Sequence, residues 1–90
     1  MSSFEFSYSV GVTSQALSSL PPTFDSVTIE NSSASASVAV TFDGSTPAVY
    51  GAGFTLGPLG SLTWHPPLNT VMAINAIASA PSTPVSVVVN

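Results

Sequence analysis

Lysine and arginine are absent from the 90-residue chain, and so is cysteine. An ordinary domain is about 25% charged, which at this length would give roughly 22 charged residues. The chain has four, Glu5, Asp25, Glu30 and Asp43, all of one sign, and a single histidine, His65. Each absence excludes something. Without cations the chain cannot displace counterions from phosphates, so nucleic acid is no partner. A phosphate-loop nucleotide site loses its lysine, and binding to anionic membranes loses its basic patch. Without cysteine there is neither a disulfide scaffold nor a thiolate zinc site. Long apolar runs are missing too. The greasiest stretch, Val71 to Ala80, is interrupted by Asn75 and Ser79 and falls short of the ~18 residues of a membrane-spanning helix. The start, Met1-Ser2-Ser3-Phe4-Glu5, lacks the basic region and apolar run of a secretory signal. The expectation is a soluble protein made in a cytoplasm, with no membrane partner.

What the chain has is hydroxyls and strand-forming residues. The polar share is carried by 17 serines and 9 threonines, and valine outnumbers leucine eleven to six. Apolar residues alternate with polar ones, which is the period of a half-buried strand. Phe4, Phe6, Tyr8, Val10 and Val12 share one face of a first strand. Residues 13–23 read as a connector: Ser14 to Leu20 has room for one helical turn before Pro21-Pro22 stops it. Phe24 to Asn31 is a second strand with Val27 and Ile29 inward. After the turn residues Asn31-Ser32-Ser33, the face Ala34, Ala36, Val38, Val40 and Phe42 makes a third strand, expected to pair with the second as a hairpin. Asp43-Gly44 marks the next turn. Ala48 to Leu56 is a fourth strand, with Tyr50, Ala52, Phe54 and Leu56 on one face. Gly57-Pro58-Leu59-Gly60 turns the chain into a short strand, Ser61 to His65, with Leu62 and Trp64 on one side. Thr70 to Ser79, apolar on both faces, is a candidate central strand, and Val85 to Val89 is the last.

Seven short strands separated by turns predict an all-β fold, a single antiparallel β-sandwich of the jelly-roll or immunoglobulin-like kind. The 90 residues make one domain, with residues 1–23 as a possible N-terminal arm and connector.

Chemistry is sparse. His65 sits between Trp64 and Pro66-Pro67; one histidine is one metal ligand, and no Gly-x-Ser-x-Gly elbow accompanies it. The acids are spread out, without the paired carboxylates of a glycosidase or the run of oxygen ligands of a calcium loop. No enzyme, metal or cofactor is expected. An enzyme would have to lose its activity on His65→Ala. Asn31-Ser32-Ser33 fits the N-glycosylation pattern, read as fortuitous without a secretory signal.

The informative segments are the uncharged, strand-forming ones. Pro84 to Asn90 would be an aggregation hazard as a free edge, because edge protection usually relies on lysine. This tail is therefore either a central strand or pairs with another chain. The same holds for Phe4 to Val12, where Glu5 is the sole gatekeeper. Tyr50 and Trp64 carry a polar atom that tolerates a wet interface. The candidate interface residues are Phe4, Phe6, Tyr8, Tyr50, Trp64, His65, Val85, Val87, Val88 and Val89. A sugar-binding platform on Trp64 and Tyr50 is the reading from a different class.

Four segments carry a resemblance. Val27-Thr28-Ile29-Glu30-Asn31-Ser32-Ser33 and Val38-Ala39-Val40-Thr41-Phe42-Asp43-Gly44 come first. Gly53-Phe54-Thr55-Leu56-Gly57-Pro58-Leu59-Gly60-Ser61-Leu62-Thr63-Trp64 follows, and the chain closes on Val85 to Val89. Over residues 27–90 this pattern resembles the small β-sandwich accessory proteins of tailed-bacteriophage virions, which decorate or cement capsids or attach spikes and fibres. The resemblance implies a non-enzymatic virion protein on the particle exterior, assembled in the host cytoplasm. It implies the major capsid protein or a fibre or spike as partner, and a homo-oligomer, with a trimer favoured.

Overall fold

The computed structural model describes residues 4–17, 25–42, 54–65 and 73–90. Its strands are β1 (Phe4–Val10), β2 (Gln15–Ala16), β3 (Val27–Asn31), β4 (Val38–Thr41), β5 (Phe54–Leu56), β6 (Ser61–Trp64), β7 (Asn75–Ala78) and β8 (Thr83–Val89). No described residue is helical, so none belongs to a helix long and apolar enough to cross a membrane.

All pairings are antiparallel, and they nest. β1 pairs with β8, β2 with β7, β3 with β6 and β4 with β5. The chain is thus one long hairpin with four strands in each arm. Rolling that hairpin adds two further pairings, β3 with β8 and β4 with β7. Two four-stranded sheets result, in the orders β1-β8-β3-β6 and β2-β7-β4-β5. This is the strand order of a jelly roll, a two-sheet architecture that folds eight strands as two Greek keys.

Period-two patterning dictates which residues fill the space between the sheets. One sheet contributes Val10, Val27, Ile29, Val85, Val87 and Val89; the other contributes Val38, Val40, Leu56, Ile74, Ala76 and Ala78, with Leu17 beside them. Most are β-branched, stiff at χ1 and suited to a pleated surface. Phe6, Tyr8, Phe42, Leu62 and Trp64 pack around the rim of this core. Outer faces carry hydroxyls. Thr28 and Thr63, paired across β3 and β6, have their Oγ1 atoms 3.0 Å apart.

Three local expectations are corrected. The hairpin between the second and third predicted strands does not form, because β3 and β4 lie in different sheets; residues 32–37 carry the chain across the sandwich instead. The turn-like stretch after Thr13 is not helical where described: Gln15 and Ala16 pair with Ala76 and Asn75, adding a strand to the expected seven. Phe54 and Leu56, expected together on a core face, differ in burial: Leu56 is buried, whereas Phe54 on the outermost strand stays 48% exposed. The first strand expected from Phe4 onward is β1, which pairs along its whole length with β8. The Asp43-Gly44 turn and Tyr50 lie outside the described residues.

Candidate functional site

Four crossovers between the sheets, residues 11–14, 32–37, 57–60 and 79–82, gather at one end of the sandwich, and a lattice of hydrogen bonds ties them together. At its centre is Asn31, the last residue of β3 and fully buried. Its Nδ2 lies 2.7 Å from the Ala36 carbonyl, 3.0 Å from Gly57 and 3.3 Å from Leu56, so two amide protons serve three acceptors. Its Oδ1 accepts from the Ser33 N–H at 3.0 Å, an Asx-type turn. Its backbone N–H reaches Gly60 O at 2.8 Å. With its amide nitrogen engaged this way, Asn31 is no glycan acceptor in the folded chain.

Serines complete the lattice. Ser33 Oγ accepts from the N–H groups of Ser35 and Ala36. Ser79 N–H donates to Ser37 O, and Ser37 N–H donates to Ser79 Oγ, both at 2.9 Å. At the first crossover Gln15 staples the bend: its Oε1 accepts from Gly11 N–H at 3.2 Å and its Nε2 donates to Ser9 O at 3.4 Å. Ala78 N–H donates to Gly11 O, which joins the end of β1 to the other sheet.

The crossover Gly57-Pro58-Leu59-Gly60 is a tight turn closed by Gly60 N–H to Gly57 O at 2.9 Å. Proline stands at its second position, where its fixed φ is an asset. The third position takes a left-handed backbone, φ 62°, and is occupied by Leu59, where glycine is the usual choice. A Cβ on Gly60 would lie 3.0 Å from Gly57 O and 3.3 Å from Gly57 N, tighter than ordinary contact, which favours glycine at the fourth position. Leu59 N–H is held by Ser33 O at 2.9 Å, and the side chain is 66% exposed. Val12, on the first crossover, is 58% exposed.

A second candidate lies along the flank where β5 and β6 end their sheets. Phe42 stacks on Trp64 with ring centroids 4.3 Å apart, and Phe54 meets Phe42 edge-on at 5.5 Å. The stack joins the two sheets, since Phe42 follows β4 and Trp64 ends β6. His65 follows Trp64 and is exposed.

The other sequence-predicted residues divide by position. Phe6 and Tyr8 stack at 6.4 Å on the inner side of β1, half-buried against the core, and burial pushes the Tyr8 phenol above its ordinary value. Phe4 pairs with Val89 at the start of β1. Val85, Val87 and Val89 face the interior and are buried. β8 lies between β1 and β3, so the chain's own core accounts for these three. Val88 is half-buried on the outer face, between Glu5 and Thr28. Sequence reasoning missed Leu59 and Phe54; a Leu at the third position of a Pro-containing turn was the available signal for the first. Among the described residues no three acidic or histidine side chains cluster as a metal site. The chain matches no family model and no curated protein.

Proposed function

We propose that the chain is a non-enzymatic structural protein of a virus particle, a decoration or cement subunit on the outer capsid surface. The observation that carries this reading is the jelly-roll strand order with sheet ends that hold no cation. Among the described residues β1 and β6 end one sheet, β2 and β5 the other, and no lysine or arginine is available to blunt any of them. Sheet ends of this kind are protected when other chains cover them. Jelly rolls recur in viral capsid proteins and in lectins. Hydroxyl-rich, charge-poor faces favour the former use, because large interfaces then bury few ions. The partner is the major capsid protein, with a fibre or spike protein as the variant, and the subunit assembles as a small symmetric homo-oligomer, a trimer by preference.

The test has two arms. Quantitative mass spectrometry of purified tailed-phage particles from cells carrying the gene should find the chain at a fixed copy number. Native mass spectrometry at micromolar concentration should find oligomers. A stable monomer absent from purified particles sinks the reading.

One observation favours a second reading, saccharide binding: the half-exposed Phe54 ring is backed by the Phe42–Trp64 stack, an aromatic surface on which the apolar face of a sugar can lie. Trp64 is the sole tryptophan, so its fluorescence reports directly on that flank. Under this reading glycan-array binding is lost on Phe54→Ala with the circular dichroism unchanged; an array without hits removes it.

A further inference from the structure

The turn that presents Leu59 has a feature its own fold does not require. A left-handed backbone is penalised for a residue with a Cβ and is readily adopted by glycine, or by asparagine among the others. The same end of the sandwich meets nearly the same geometry at Ser82, φ 56°, with a small polar residue. Leu59 belongs to no core cluster and leaves two thirds of its surface in solvent. Yet the backbone beneath it is fixed from three sides. Ser33 O holds its N–H, the Gly60–Gly57 bond closes the turn, and Asn31 grips Gly57 and Gly60. An apolar side chain held rigidly in the open loses little conformational freedom on being buried by something else.

We propose that Leu59 is the anchor by which the chain docks into an apolar pocket on a partner protein. This rests on reading the chain as an assembly subunit and names the contact. The surroundings fit a neutral protein pocket. Residues 11–14, 32–37, 57–61 and 79–82 contain no ionisable side chain, and the nearest in register is the exposed Glu30, opposite Ser61 on the outer face, so burying the crossovers themselves desolvates no charge. Serine hydroxyls and backbone groups supply the polar rim that surrounds an anchor in ordinary interfaces. A lipid surface is a poor fit, because an interfacial anchor needs several apolar side chains and basic residues, and the chain has no basic residue. These crossovers also contain no aromatic ring on which a sugar could stack.

The experiment compares wild type with Leu59→Gly and Leu59→Asn in two measurements. The first is thermal unfolding. The second is binding of the fluorescently labelled chain to tailed-phage particles assembled without the gene. Both variants should melt no lower than wild type, with Leu59→Gly higher by about 4 °C as the left-handed position is relieved. Both should bind the particles ~10-fold more weakly or worse, the usual loss for a truncated anchor. Variants that melt well below wild type would show that Leu59 serves its own fold and overturn the proposal. Variants that bind as wild type does overturn it while leaving the assembly reading intact. A wild-type chain that does not bind overturns both. Wild-type oligomers that become monomers in Leu59→Gly, read by native mass spectrometry, would place the pocket on a second copy and overturn the assignment to a partner protein.

Discussion

Three backbone carbonyls, of Ala36 in one crossover, Leu56 at the end of β5 and Gly57 in the next crossover, point at one side-chain amide, and that amide belongs to Asn31. The bonds to Ala36 and Leu56 are buried and the one to Gly57 is partly so, and removing the donor leaves at least two acceptors that water reaches poorly. Asn31→Ala should destabilise the chain by about 3 kcal/mol or more, from an unsatisfied-group cost of ~1–3 kcal/mol each. A domain of this size has only ~5–13 kcal/mol in total. Urea unfolding would read the loss as a lower midpoint. Asn31→Asp, nearly the same shape, should fare no better, since a carboxylate has no proton to offer a carbonyl. Tyr8 supplies a pH dependence. Burial raises its phenol above 10.0, so the folded chain holds this proton more tightly than the unfolded chain does. The stability tied to it is fully present below the unfolded value and is lost as pH rises through the higher folded one. Tyr8→Phe should therefore flatten the fall in stability above about pH 10, measured by chemical denaturation across that range. At this scale the sequence was partly legible. Asn31-Ser32-Ser33 reads as turn chemistry, which it is. That the asparagine also reaches carbonyls 25 and 26 residues further on is a tertiary fact with no local signature. Gly57-Pro58-Leu59-Gly60 likewise announces a turn without saying which residue takes the positive φ.

Among the strands, inward faces were legible and partners were not. Alternation correctly separates Val27 and Ile29 from Thr28 and Glu30, because side-chain direction follows from local period two; in the uniform run Val87-Val88-Val89 residue type gives no such signal, and the strand itself turns Val88 outward. Pairing depends on where crossovers send the chain. The connection of residues 32–37 turns an expected hairpin into a passage between sheets. The last strand illustrates how an uncharged, aggregation-prone sequence is made safe: β8 has a neighbour along both sides and offers no edge. Its amides should be the slowest to exchange in native-state hydrogen exchange, with those of residues 61–64 on the outermost strand faster. Faster exchange in β8 than in β6 would contradict this strand order. Val87→Ala, at the centre of β8, should cost about 2 kcal/mol from lost transfer energy and an unfilled cavity, with the native fold retained.

For the molecule as a whole, a net charge of −4 with no lysine or arginine makes an unusual electrostatic object. The acidic side chains have no lysine or arginine to pair with, so salt has no such bridge to weaken and can only screen repulsion between acids. Raising ionic strength from low salt to about 1 M should leave the melting temperature unchanged or slightly higher at neutral pH; a clear fall would show an attractive charge pair. The nested pairing also has a consequence for synthesis. Phe4 is partnered by Val89, and β3 by the same late strand. On the ribosome, β1 waits for β8, and most of that sheet stays unassembled until β8 has cleared the exit tunnel. Assembly of that sheet then follows the synthesis of β8. A ribosome that stops a few residues short of Val89 releases two strands without their shared neighbour, a product suited to degradation rather than to slow repair.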